Sequence, residues 1–250
     1  MSAILAVTLG NSTAALAVAS DGQVGEVLRV PVQEIERLRQ RLDQAHRDRL
    51  QVALVASSVN PAALECLQNL ASEVTQAVPD VAGVDFPIPI ATDVEEPERV
   101  GADRLLGALA AYRRVRGACI IVDFGTAITV NAVQGDGTFV GGAIFPGLTM
   151  MARSLAAGTA LLPSIVLSDG GPAIGRNTQK AMGAGIFHGA AGAVTRLVSG
   201  AREVVGSTAR VIVTGGDSRV AELLPPDCRT IVPDLVMEGL IAAYREYAKR

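Results

Sequence analysis

The strongest constraint on this chain is that it carries a copy of its own opening. Ala6 to Thr13 reads Ala-Val-Thr-Leu-Gly-Asn-Ser-Thr, and an apolar run continues to Ala19 before Asp21-Gly22. Ile121 to Ile128 reads Ile-Val-Asp-Phe-Gly-Thr-Ala-Ile, and its run continues to Val133 before Asp136-Gly137. A single offset of 115 residues takes Thr8, Gly10, Asp21 and Gly22 to Asp123, Gly125, Asp136 and Gly137 without a gap. Apolar strands and Asp-Gly turns are common, so one match would mean little. Four at one offset read as a duplication. Each copy predicts a strand, a tight Gly-containing corner, a second strand, and an Asp-Gly hairpin into a third. The third strands are placed at Gln23 to Val30 and Thr138 to Ile144.

Both halves continue on one plan. In the first, Ile35, Leu38 and Leu42 mark one helical face, Val52 to Ala56 reads as a buried strand, and a second helix follows Asn60-Pro61. In the second, helices precede the strand Arg210 to Thr214, which leads into Gly215-Gly216-Asp217. A closing helix from about Asp234 carries Val236, Leu240, Ala243, Tyr244 and Tyr247 along one stripe. The pattern predicts two α/β lobes with mixed sheets, residues 1–115 and 116–250, divided after the helix that carries Leu105, Leu109 and Tyr112. Hydrophobic residues make up 49% of the chain and aromatics only 3%, so the core must be Ala, Val, Leu and Ile, which suits strands buried on both faces.

Other function classes recede on charge and cysteine usage. The formal net charge is −3, and the arginines from Arg37 to Arg49 alternate with Glu36, Asp43 and Asp48. That is a solvated helix face rather than a phosphate-tracking surface, so no nucleic-acid partner is expected. Cys66, Cys119 and Cys228 lie far apart and the chain has two histidines, which favours neither a zinc site nor a disulfide framework. Cys119 reads as a small buried hydrophobe and His188 as structural. No apolar stretch is long enough to span a bilayer, so a cytoplasmic protein with no membrane partner is expected.

Three Gly-rich elements could meet phosphates. Gly10-Asn11-Ser12-Thr13 offers a close backbone approach, consecutive N–H groups, an amide and two hydroxyls. Gly125-Thr126 offers the same from the other half. Gly215-Gly216 follows a buried strand and leaves room for a flat adenine or ribose. Each alone is as readily an ordinary turn. In this order, two of them related by the duplication, they point to a nucleotide cleft between the lobes.

These residues resemble the type III pantothenate kinases, within the acetate kinase/sugar kinase/Hsp70/actin superfamily. The likeness runs collinearly through Gly10-Asn11-Ser12, Val100-Gly101-Ala102-Asp103-Arg104-Leu105, Asp123-Phe124-Gly125-Thr126-Ala127, Gly141 to Gly147, Gly175-Arg176-Asn177-Thr178 and Thr214-Gly215-Gly216-Asp217. The resemblance implies duplicated ribonuclease H-like lobes and transfer of the ATP γ-phosphoryl group to pantothenate. It implies Asp103 as proton acceptor; Gly101, Ala102, Asp103, Arg104 and Thr178 at pantothenate, with Arg104 on its carboxylate; and Thr8, Gly10, Asn11, Ser12, Thr13, Thr126, Gly215 and Gly216 at ATP. Asp123 would hold K⁺ or NH₄⁺, Mg²⁺ would accompany ATP, and the chain would form a homodimer, with Leu155 to Ile174 covering the pantothenate pocket. From the residues alone, Asp103 is equally an acid favoured by a helix dipole, and Arg104 an ordinary ion-pair residue. Two positions depart from the family: Thr8 stands where it has Asp, and Val94 where it has Tyr. A catalytically degenerate ligand-binding relative, and a kinase for another hydroxylated carboxylic acid, therefore stand beside the pantothenate kinase reading.

Overall fold

The computed structural model describes residues 3–20, 23–47, 53–168 and 170–249. Asp21-Gly22 of the first hairpin, Asp48 and Arg49 of the arginine stretch, and Val52 of the first buried strand lie outside these. Contacts group the chain into two compact units, one of Met1–Ile90, Glu95–Ala110 and Leu235–Arg250, the other of Ala91–Val94 and Ala111–Asp234.

In the first unit β1 (Ile4–Leu9) lies between β2 (Thr13–Ser20), antiparallel, and β5 (Ala53–Ser58), parallel. β3 (Gln23–Val24) and β4 (Leu28–Pro31) both pair with β2, and β6 (Asp80–Val81) extends the sheet beyond β5. The single third strand expected over Gln23 to Val30 is thus broken. Gly25 donates its N–H to Val18 O at 2.9 Å, which draws the chain onto β2 and interrupts the ladder. α1 (Arg39–Arg47) and α2 (Pro61–Thr75) cover one face. Ile35, Leu38 and Leu42 are buried there as their spacing predicts, although Val32–Leu38 winds as a 3₁₀ helix with Glu34 off helical geometry. Asn60 caps α2 by accepting the Ala63 N–H at 3.1 Å, a contact worth about 1 kcal/mol. Outside, Arg37, Arg39, Arg41 and Arg47 pair with Glu34, Glu36 and Glu73, Glu26 and Asp43, a solvated charged surface.

The opposite face, bearing Ile4, Ala6, Ala17 and Val55, packs on Leu106 and Leu109 of α3 (Ala102–Val115) and on Met237, Leu240 and Ile241 of α6 (Leu235–Tyr247). This grouping and a cut near residue 115 differ in where the closing helix goes. Its stripe of Leu240 and Ala243 is buried, but against the first sheet.

The second unit repeats the plan. β7 (Cys119–Phe124) lies between β8 (Ala127–Val133), antiparallel, and β10 (Arg210–Thr214), parallel. β9 (Phe139–Pro146) flanks β8, and β11 (Thr230–Ile231) flanks β10. α4 (Leu148–Gly158) and α5 (Thr178–Val205) cover the face of Ile120, Val122 and Phe124. Strand order and direction therefore match in the two mixed sheets, as the duplication requires. The register refines the ungapped match. Thr8 faces Ala15, whereas Asp123 faces Thr129, so the second strands correspond at an offset one residue shorter. The cause is the corner: Gly10 N–H reaches Thr13 O, but Gly125 N–H reaches Ala127 O.

The α3–α6 contact gives a direct test. A Cβ on Gly239 would stand 2.1 Å from Leu106 O, against helix backbone that cannot turn aside. Gly239→Ala should lower unfolding free energy by about 2 kcal/mol or more in denaturant titration.

Candidate functional site

In each unit the central parallel pair ends on one edge of the sheet, and that edge collects the polar residues the sequence singled out. In the first unit the β1–β2 corner holds Gly10, with Asn11, Ser12 and Thr13 exposed. Ser12 O accepts the Val32 N–H at 2.9 Å, fixing the corner to the chain after β4. Thr8 is half-buried just inside it. Its register neighbours are Ala15 on β2 and the buried Ser57 on β5.

Beyond β5, Val59 N–H returns to Leu9 O at 3.1 Å, so this residue is tied to the end of β1. Val59 also touches the start of α3. A Cβ on residue 101 would lie 3.6 Å from Val59 Cγ1 and only 2.6 Å from Asp103 Oδ1. Gly101 is therefore the clearing that lets the Asp103 carboxylate fold back over the helix start. There Oδ1 accepts the Arg104 N–H at 2.8 Å. Desolvation, the largest influence, pushes the Asp103 carboxyl above the ordinary carboxylate range, against the Arg104 N–H and guanidinium, which pull it down. Desolvation likewise lowers Arg104, opposed by Asp103. An acid at this helix start could be explained by the dipole alone. Desolvation beside a glycine clearing is what the dipole does not account for.

In the second unit Asp123 ends β7 with Thr129 and the buried Thr214 as register neighbours. Asn131 Nδ2 donates to Thr129 Oγ1 at 2.9 Å, and Thr214 Oγ1 to Pro233 O at 3.3 Å. Gly215 has φ +97°, and a Cβ there would meet Asp123 Oδ1 at 2.4 Å and Phe124 O at 2.5 Å. The Gly215 turn thus closes on the carboxylate, and Asp217 N–H holds it to Phe124 O at 3.0 Å. Gly216 and Thr126 are exposed beside it. The following segment, Ser218–Leu223, is a short 3₁₀ turn. Gly147, which had drawn no role from the sequence, donates its N–H to Thr126 O at 3.0 Å and anchors the corner to α4.

Thr178 opens α5, exposed, after Asn177, whose side chain accepts the Lys180 N–H at 2.8 Å. Val94 lies against Gly141 of β9, on a stretch in which Asp93 N–H binds Phe139 O at 2.9 Å. His188 Nε2 meets Gly171 O at 3.2 Å, the structural part foreseen for it. Cys119 is buried, its thiol pushed up to about 12, so it is inert.

Comparison with known proteins points to one family. The family model of the type III pantothenate kinases matches residues 4–200. A type III pantothenate kinase of Rhodopirellula baltica is 44% identical over 63% of this chain and 58% of its own. That of Rhodospirillum rubrum is 36% identical over 77% and 76%. That of Rhizorhabdus wittichii is 34% identical over 96% and 97%. Among solved structures, a conserved Baf family protein of Campylobacter jejuni superposes with TM-score 0.59 at 20% identity, covering 98% of this chain and all of that one. MreB5 of Spiroplasma citri, bound to AMPPNP, gives 0.53 at 11% over 100% and 98%. At those identities the two structures speak for the fold alone.

Two substitutions test the site. Gly101→Ala should displace the Asp103 carboxylate and break its bond to Arg104 N, seen as a lost or shifted Arg104 amide resonance with the far sheet unchanged. For Asp103 the folded-state value is raised, so its contribution to stability is complete below the ordinary carboxylate range and is lost as pH rises through the raised value. Asp103→Asn should then melt above the native protein at pH 7 to 8, with the gap closing in acid.

Proposed function

The chain belongs to the type III pantothenate kinase family, and we propose that it transfers the γ-phosphoryl group of ATP to the primary hydroxyl of pantothenate, giving 4'-phosphopantothenate and opening coenzyme A synthesis. Asp103 carries this reading: its carboxylate, raised in proton affinity by desolvation, folds back over the start of α3 beside the Gly101 clearing that Val59 approaches. The hydroxyl oxygen attacks the γ-phosphorus, the bond to ADP breaks, and the hydroxyl proton passes to Asp103. Arg104 is assigned to the pantothenate carboxylate, a task suited to a planar guanidinium, with Gly101 and Ala102 lining that approach and Thr178 a further contact. Gly10, Asn11, Ser12 and Thr13, with Thr8 behind them, and Thr126 are assigned to the phosphates, and Gly215 and Gly216 to the nucleoside.

The two implied cations fit differently. Asp123, enclosed by Gly215 and the Phe124 carbonyl, suits a monovalent ion such as K⁺ or NH₄⁺, whose contribution would be to offset phosphate charge. Mg²⁺ finds no such carboxylate beside Thr8, whose register neighbours are Ala15 and Ser57. Among the described residues no group of three or more His, Cys, Asp or Glu is placed to hold a metal. The residues at this corner do not fit a protein-built Mg²⁺ site, and no step is routed through one.

The proposal extends to a homodimer in the cytoplasm without nucleic-acid or membrane partners. Supporting the dimer are the exposed Leu161, Val166 and Ile174 on the weakly charged stretch proposed to cover the pantothenate pocket. The three cysteines are free, as suits a reducing compartment. No helix among the described residues is long and apolar enough to cross a membrane. Light scattering at micromolar concentration should give the mass of two chains.

The test is ADP release coupled to pantothenate, with Mg²⁺ and K⁺ present. Asp103→Asn should lower kcat by about 10²-fold or more with nucleotide affinity little changed. A neutral Thr8 supports a second reading, a relative that binds but does not turn over. Thr8→Asp should raise kcat/KM for ATP by roughly tenfold or more across a Mg²⁺ series if the chain is a kinase slowed at that corner. Binding by calorimetry with no turnover in either protein would favour the second reading.

A further inference from the structure

Arg219 has no part in the chemistry above, yet it makes an unusual set of contacts for an exposed arginine. It follows the Gly215 turn, and its guanidinium lies 5.2 Å from the centre of the buried Phe187 ring on α5. One terminal nitrogen donates to Ser168 O. The other lies 3.3 Å from both Leu167 O and Asp217 Oδ1. Leu167 and Ser168 belong to the irregular stretch between α4 and α5, whose described residues form no strand or helix. The same stretch is fastened at one further point, where Gly171 O meets His188 Nε2 at 3.2 Å. Before it, the backbone runs close to Leu223 and Phe187, since a side chain at Gly170 would meet Leu223 Cδ1 at 3.3 Å and Phe187 Cβ at 3.5 Å. Ile165 and Leu167 turn inward onto the core, while Leu161, Val166 and Ile174 stand exposed.

Asp217 is the hinge of this arrangement. Its N–H binds Phe124 O, one residue from Asp123, and its carboxylate receives Arg219. A continuous series of contacts therefore runs from the β7–β8 corner through Asp217 and Arg219 to the carbonyls of Leu167 and Ser168. Each polar contact here is open to solvent and weak alone. A planar guanidinium that meets two carbonyls, a carboxylate and an aromatic face together can nevertheless hold a loop in one register.

We propose that Arg219 is a positioning residue that couples nucleotide binding at the Gly215–Asp217 turn to the placement of the stretch from Ser164 to Ser168. This rests on the assignment of ATP to that turn. Ordering the turn fixes the Asp217 carboxylate, the carboxylate fixes the guanidinium, and the guanidinium holds the Leu167 and Ser168 carbonyls. Nucleotide at the turn thereby lowers the conformational freedom of the Ser164–Ser168 segment.

The experiment is hydrogen exchange by mass spectrometry on the native chain, Arg219→Ala and Arg219→Lys, without ligand and with AMPPNP. In the native chain AMPPNP should slow exchange both in the peptide holding Gly215 to Asp217 and in the peptide holding Ser164 to Ser168. In Arg219→Ala it should slow the first only. Arg219→Lys, which keeps the charge over Phe187 but loses the fork, should fall between, so that a generally unfolded Arg219→Ala cannot imitate the result. Protection of the turn without the segment in the native chain, or equal protection of the segment in Arg219→Ala, overturns the coupling and leaves the ATP assignment standing. Protection of neither peptide in the native chain overturns both.

Discussion

The parallel pairing of β1 with β5, and of β7 with β10, is the constraint on which the rest depends. Parallel strands finish on the same edge of a sheet, so whatever follows one must lie beside whatever follows the other. That is why Val59, just past β5, can bind Leu9 at the end of β1 and also touch the clearing at Gly101. It is also why the turn after β10 can fold onto Asp123 at the end of β7. The antiparallel partner of each pair supplies the corner. The helices then bury the apolar faces and leave this edge as the place where backbone N–H groups and side-chain polar atoms gather.

Duplication delivers equivalent positions but not equivalent chemistry. Thr8 and Asp123 occupy the same place in their sheets, each one strand-width from a buried hydroxyl residue, Ser57 and Thr214. In the second unit that position is a carboxylate under a glycine turn. In the first it is neutral, and the acid that the sequence singled out in this unit, Asp103, is delivered by α3 rather than by a strand. Keeping Asp103 desolvated is costly, and the cost is sustained by the packing of Leu106 and Leu109 beneath it, which fixes the helix irrespective of the charge at its start.

Much of this was legible in the sequence, for a physical reason in each case. Continuous apolar runs and Gly corners are local signals, so β1, β2, β7 and β8 fall where the repeat puts them, and the stripe of Ile35, Leu38 and Leu42 is buried as its spacing requires. What was not legible depends on contacts between distant residues. Periodicity shows that the closing helix has an apolar stripe but not which sheet receives it, and α6 packs on the first. The one-residue difference between the corners is invisible until register is known. The clearing at Gly101 exists only because the Asp103 carboxylate folds back, and the anchoring of Thr126 by Gly147 joins residues on separate elements.

The central claim is that Asp103 is a desolvated carboxylate held ready to take a proton. It is tested most directly by following the Asp103 side-chain carbon resonance through a pH titration of the free protein, with Asp103→Asn identifying the signal. The expected result is a midpoint above the ordinary aspartate range, moving down toward that range in Gly101→Ala as the carboxylate is forced out toward solvent. A midpoint at or below the ordinary range in the native protein would contradict it, and would return Asp103 to the part of a helix-capping acid.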